Sequence, residues 1–245
     1  MAGHSKWANI KRRKAVVDAK RGKLFTKVSK EIIVAAKLGG GDPDANARLR
    51  MAIENARSVS MPVENIKRAI LRGTGELEGI SYEDVTYEGY GPGGAAVIVV
   101  CTTDHRNRST QELRATFSKF GGNLGENNSV SWNFTRKGEI RVECSLSEDD
   151  MLSLAMDIGA DDVVMIDDGA LIFCSVDLLG TCANECAERK LAVRETRIVY
   201  EPNTMLSVTD PEHTKLLDKL LDVLDDNDDV QNVFHNAELP EEDAE

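Results

Sequence analysis

Apolar positions recur along this chain with two different periods, and the change from one to the other divides it. Over residues 23–37, Leu24, Val28, Ile32 and Ala35 share one face at 100° per residue while Lys23, Lys27, Lys30 and Lys37 line another, which predicts an amphipathic helix. Gly39–Gly41 close it. Asp42-Pro43 then predict the start of a second helix, with a capping residue and a proline at the first helical position, running to about Ser58 on a stripe of Leu49, Ile53 and Ala56. A third, from Met61-Pro62 to Gly73, buries Ile66 and Ile70. Three short amphipathic helices predict a small all-α domain.

Beyond Gly73 the pattern becomes extended. Tyr82–Glu88 alternates as a strand, Gly89–Gly94 is a turn, and Ala95–Thr102 is a β-branched run apolar enough to be covered on both faces. Ser109 and Glu112 form a capping box ahead of a helix that buries Leu113, Thr116 and Phe117 and ends at Gly121-Gly122. Ser129–Thr135 alternates again, so Ala95–Thr135 reads as a β-α-β unit lacking its second half. Residues 138–200 supply a whole βαββαβ series: Glu139–Glu143, Ser147–Ile158, the hairpin Asp162–Ile166 and Ala170–Cys174 around Asp167-Asp168-Gly169, Val176–Lys190, and Ala192–Tyr200. A helix from Asp210-Pro211 to Leu224 and a strand Val230–His235 then complete the unit left open at Thr135. The expected fold class is α+β multidomain, an N-terminal three-helix domain plus two ferredoxin-like α/β plaits, one inserted in the other. The expected domains are a basic arm and helical domain at 1–75, a discontinuous plait at 76–135 with 201–237, an inserted plait at 136–200, and a disordered acidic tail at 238–245.

Charge follows the same division. Residues 1–75 hold 17 Lys+Arg against 6 Asp+Glu, a net of +11, and residues 76–245 hold 13 against 36, a net of −23, within a chain total of −12. The cations crowd the start: Lys6, Lys11, Arg12, Arg13, Lys14, Lys20, Arg21 and Lys23, then Lys27 and Lys30. A face built for solubility mixes both signs, whereas 11 Lys+Arg with 2 Asp+Glu in residues 1–40 would repel itself without a polyanion. Arg106 and Arg108 join this set, because they precede a helix whose free N–H groups also suit a phosphate. Nucleic acid, DNA or RNA and including the ribosome, is thus the expected partner, with a protein partner for the acidic surface. A membrane is not expected, since Ile32–Ala36 and Ala95–Cys101 fall far short of the ~18 residues of a span. No stretch reads as a targeting segment, and the chain is expected in the cytoplasm.

Catalytic chemistry is not expected. His4, His105, His213 and His235 lie in an arm, a loop, a helix start and a last strand, each apart from a nucleophile motif. Cys101, Cys144, Cys174, Cys182 and Cys186 are irregularly spaced among apolar neighbours and read as reduced core residues, Cys182 and Cys186 packing one helix face rather than holding zinc. The pairs Asp161-Asp162 and Asp167-Asp168 and the run Asp225–Asp229 match no EF-hand loop. No cofactor or metal is therefore expected, and no enzyme. Trp132, Phe134, Phe173 and Tyr200 are expected in cores, and no motif of an RNA-reading sheet occurs.

The stretches MAGHSKWANIKRRK at 1–14, FTKVSKEIIVAAKLGGGDPDANARLR at 25–50, MPVENIKRAI at 61–70, YEGYGPGG at 87–94, RNRS at 106–109 and FSKFGGNLG at 117–125 resemble the YebC/PmpR family. The resemblance implies three domains, one helical and two plait-like, and a cytoplasmic regulator of gene expression. Bacterial members are described as DNA-binding transcriptional regulators, some are linked to ribosomes stalled on proline-rich sequence, and a mitochondrial relative activates translation of a cytochrome oxidase subunit. This chain departs from the family pattern at His105, where an acidic or amide residue is expected before Arg106-Asn107-Arg108.

Overall fold

A computed structural model describes residues 21–239, so the expectations for Lys6, Lys11, Arg12, Arg13, Lys14 and Lys20, and for the end of the acidic tail, lie outside the described residues. Helix α1 (Arg21–Gly39) buries Ile32 to Ala36. Helix α2 (Ala47–Ser58) starts later than Asp42-Pro43 predicts, because Asn46 takes the capping position. Its Oδ1 accepts from Leu49 N at 3.0 Å while its Nδ2 donates to Ala35 O and Gly40 O, both at 2.8 Å. An aspartate offers no such donors, so the buried amide wins the cap and Asp42–Asn46 folds as a turn. Helix α3 (Val63–Thr74) ends on Gly75, whose left-handed φ of 81° suits a residue without Cβ.

The hairpin β1 (Glu83–Tyr90) and β2 (Ala96–Thr103) follows, paired antiparallel from Glu83↔Thr103 to Tyr90↔Ala96. Helix α4 (Arg106–Lys119) begins three residues ahead of the predicted Ser109 cap. The cap is His105, whose Nδ1 accepts from Arg108 N at 3.2 Å, and Ser109 is buried in the first turn. After α4 the chain makes only a two-residue strand, β3 (Asn123–Leu124); of the predicted strand Ser129–Thr135, residues 129–133 are a loop with a 3-10 turn at Ser131–Asn133, and the strand starts only at Phe134. The reason is tertiary: the N–H groups of Asn128, Val130 and Ser131 all bind the Glu88 carboxylate and cannot enter a ladder. The remaining elements are β4 (Phe134–Glu143), α5 (Glu148–Asp157), β5 (Asp162–Ile166), β6 (Gly169–Cys174), α6 (Leu179–Glu188), β7 (Ala192–Pro202), β8 (Leu206–Ser207), α7 (Pro211–Asp226), β9 (Val230–His235) and β10 (Ala237–Glu238).

The described residues cluster into two compact units, and the division falls inside α1, after Val34. The first unit joins 21–34, Glu78–Thr135 and 202–239. Its sheet has the order β3-β1-β2-β9, each neighbour antiparallel, so the last strand closes the sheet beside the hairpin as the insertion requires. Helices α4 and α7 share a core with this sheet, where Val97, Val99 and Cys101 meet Leu113, Phe117, Leu217, Leu220 and Leu224, all fully or almost fully buried. Each such aliphatic side chain contributes about 1.5–3 kcal/mol by leaving water.

The second unit joins Ala35–Leu77 and Arg136–Glu201. Its sheet order β5-β6-β4-β7 with crossovers through α5 and α6 is that of the ferredoxin-like plait. Ile140, Val142, Met151, Ile172, Cys174, Leu179, Cys182 and Cys186 form its core. Gly169 closes the β5–β6 hairpin at a φ of 153°, where a Cβ would overlap Val142 O. Helix α2 docks through Asn55, which donates to Thr196 O at 2.9 Å and accepts from Thr196 N at 3.2 Å, so one amide side chain serves β7 as a strand edge would.

Candidate nucleic-acid interface

Spacings of four and three put Lys23, Lys27 and Lys30 on one face of α1, as the sequence pattern predicts. That face is not a solvent-facing row for phosphates. It meets the C-terminal end of α7, a segment with no basic residue in its last turn and with the unsatisfied carbonyls of every helix end. Lys23 Nζ lies 2.9 Å from both Asp226 O and Asp226 Oδ2. Lys27 Nζ donates to Asp225 O at 3.0 Å. Lys30 Nζ is buried and spends its three protons on Asp228 O (2.8 Å), Asp229 Oδ1 (2.8 Å) and Thr102 O (3.3 Å), with the Tyr82 ring centroid 5.2 Å away. The cations cap α7 from outside and meet the negative end of its dipole.

Asp229 is the centre of this junction. A register shift between Val100 and Cys101 brings the start of β9 under Thr102, whose N–H donates to Asp229 O at 2.8 Å. Besides Lys30, its carboxylate meets Arg108 Nη2 at 2.8 Å, Thr103 Oγ1 at 3.0 Å and Ser109 Oγ at 2.8 Å. Burial alone pushes this carboxyl up; the hydrogen bonds from Lys30, Arg108 and Ser109 outweigh it and hold the group well below the usual carboxylate range. Arg108 is also bound to Asp104 Oδ1 at 2.7 Å, and these two carboxylates raise its pKa. Lys30 and Arg108, both expected at a phosphate, are thus partners of one buried aspartate far away in the chain.

A second buried carboxylate, Glu88 on β1, accepts from Asn128 N at 2.9 Å and from Val130 N and Ser131 N at 2.8 Å each. Burial raises its pKa, and the three backbone donors more than reverse that and leave it lowered. The loop they order carries Trp132, expected in a core but 72% exposed. Trp132 Nε1 and Tyr90 Oη donate to the same carbonyl, Ser129 O, at 3.0 Å and 2.8 Å. Arg106 is exposed and has no ion pair among the described residues. It lines an open cleft of ≈ 370 Å³ with Asp84, Val85, Thr86, Glu88, Asn127 and Asn128. Arg114, two turns along α4, is exposed as well. Its signal in the sequence was the spacing of eight from Arg106.

Arg21 opens α1, and with the cations of residues 6–20 it completes the expected set. The second unit also pairs its cations internally: Lys137 with Glu201 at 2.7 Å, Arg141 with Asp168 at 2.7 Å, and buried Glu139 with Arg197. The thiols of Cys101 and Cys174 are pushed up to about 12, and that of Cys186 to about 11, in each case chiefly by burial. These thiols stay protonated at neutral pH and are poor nucleophiles. Among the described residues no group of three or more His, Cys, Asp or Glu is arranged to hold a metal, and no helix is long and apolar enough to cross a membrane.

The molecule defined by these elements is an α+β multidomain protein, with helices ahead of two sheet domains, one of which interrupts the other. The chain belongs to the TACO1/YebC family: the profile of the family's N-terminal domain matches residues 5–76 and that of its second and third domains residues 82–237. It is 51% identical over 243 residues to a probable transcriptional regulatory protein of Sulfurihydrogenibium sp. (strain YO3AOP1), covering 98% of this chain and 97% of that one. It is 48% identical over 244 residues to a probable transcriptional regulatory protein of Dictyoglomus turgidum, covering 99% and 98%. The crystal structure of a conserved hypothetical protein from Aquifex aeolicus superposes with a TM-score of 0.87 at 45% identity, covering 94% of this chain and 95% of that one.

Proposed function

We propose that this chain is a non-enzymatic, nucleic-acid-binding regulator of gene expression acting on transcription, with its phosphate contacts in the cations of residues 6–21 and in Arg106. One observation carries the reading. Lys23, Lys27, Lys30 and Arg108 are held by the carboxylates of Asp226 and Asp229 and the carbonyls of Asp225 and Asp228, whereas residues 1–21 hold seven Lys+Arg against Asp18 alone. A segment of that charge lowers its free energy by releasing counterions from a polyanion. The acidic remainder of the chain repels the same polymer and restricts contact to this end and to the surface around Arg106. The transcriptional role rests on the names of the close relatives. A second reading, a translation factor that binds ribosomal RNA, is favoured by the exposed Trp132, since aromatic stacking serves unpaired RNA better than duplex DNA.

Replacing Lys11, Arg12 and Arg13 together by glutamate weakens binding across sequences and lowers the salt slope by about one unit per lost phosphate contact. Unchanged affinity and slope would remove the arm from the mechanism. Crosslinking in cells with sequencing of both nucleic acids separates the two readings: promoter enrichment without ribosome association supports transcription, and a ribosomal RNA footprint supports translation.

A further inference from the structure

We propose that the Tyr90–Trp132 surface is a stacking platform for an unpaired nucleobase of a single strand, an inference that rests on the nucleic-acid-binding reading above. Trp132 is 72% exposed and Tyr90 38% exposed. Both turn their polar atoms onto the one carbonyl of Ser129, so the two rings converge on a single acceptor while much of their surface remains in solvent. The indole is also held from both sides in the chain. Before it, Glu88 binds the N–H groups of Asn128, Val130 and Ser131. After it, buried Asn133 donates to Thr204 O and accepts from Thr204 N at 3.1 Å each, and its carbonyl accepts from Asn203 N at 2.7 Å. An indole fixed in water loses conformational entropy and gains no burial, which marks it as a contact surface rather than as packing.

The surroundings select the ligand. Asn127 and Asn128 present amides able to pair with base edges, and Arg106 in the adjoining cleft offers a cation to a backbone phosphate. Of the carboxylates there, Glu88 is buried on three N–H donors and Asp84 accepts from Thr102 Oγ1 at 2.9 Å; Glu126 is exposed on the loop. An aromatic pair with amide and guanidinium neighbours is the equipment of single-strand binding, in which bases stack on rings and phosphates follow the cations. A base in a duplex cannot reach such a face without leaving its stack.

Trp7→Phe in the full chain leaves Trp132 as the single indole reporter. Titration with short oligouridylate, oligothymidylate and a duplex of equal length should quench its fluorescence with either single strand at lower concentration than with the duplex. A tighter oligouridylate arm identifies RNA as the source of the base, and equal arms identify any single strand. Trp132→Ala should weaken single-strand affinity about 5- to 100-fold, and Trp132→Phe should restore most of it. Single-strand affinity unchanged in Trp132→Ala but lost in the Lys11, Arg12, Arg13 charge reversal overturns the platform and leaves the arm standing. Failure of the unmodified protein to bind any oligonucleotide overturns both. A Trp132 response to a proline-rich peptide alone, the other common ligand of Trp–Tyr surfaces, also overturns the platform.

Discussion

Asp229 and Glu88 are both buried in the first unit, and they are neutralised by different means. Asp229 draws on side-chain cations, Lys30 from α1 and Arg108 from α4, and it buries Lys30 while holding the half-exposed Arg108 in an ion pair. Glu88, on β1, draws on backbone N–H groups of the loop at 128–131, which leaves Arg106 and the Trp132 indole exposed. A carboxylate served by the backbone orders a surface without consuming its charged or aromatic groups. The difference separates lysines and arginines that hold the fold from the exposed Arg106, a distinction that net charge alone does not make.

The comparison breaks most visibly at Asp229. Asp229→Asn leaves the Lys30 ammonium buried without a counter-charge and should destabilise the chain by about 3–5 kcal/mol in urea denaturation. The double variant with Lys30→Met should recover a good part of that loss, because no lone charge is then buried. Glu88→Gln removes the charge and replaces one of the two accepting oxygens by an NH2 that faces a backbone N–H, but leaves no lone buried cation, so a smaller cost of about 1–3 kcal/mol is expected, read as faster proteolysis of the 125–133 loop before any global change.

Acid sharpens the same contrast. Both folded carboxyls have depressed pKa values, so the stability they contribute is fully present above the unfolded carboxylate range, about 4, and is lost as pH falls through their folded values. Melting temperature should fall as pH drops below about 4. Asp229→Asn should flatten that fall more than Glu88→Gln, because the Asp229 carboxyl lies well below its usual range.

Much of the fold was legible from periodicity. Strand β9 occupies the predicted Val230–His235, and α7 starts at the predicted Asp210-Pro211, with Asp210 accepting from Glu212 N and His213 N. The misreadings share a cause: a side chain distant in sequence captured a local group. Glu88 takes the N–H groups that would have built a strand at 129–133, Asp229 takes the Ser109 hydroxyl read as a helix cap, and Asn46 outcompetes Asp42 because it also donates to Ala35 and Gly40. The candidate site was legible as charge but not as allocation. Helical spacing placed Lys23, Lys27 and Lys30 on one face, and only tertiary structure shows the Asp225–Asp229 segment opposite them. Trp132 lies within an alternating run that reads as core, and its exposure follows from the loop that Glu88 holds.

The central proposal is that the cations of residues 6–21 meet phosphate while Lys23, Lys27 and Lys30 hold the fold. The direct measurement is the salt dependence of oligonucleotide affinity, with melting temperature alongside, for Lys11→Glu, Arg12→Glu, Arg13→Glu combined and for Lys23→Glu, Lys27→Glu combined. The first variant should lose about two to three units of slope at an unchanged melting temperature, and the second should keep the slope and melt earlier. A slope lost in the second variant and kept in the first would contradict the account.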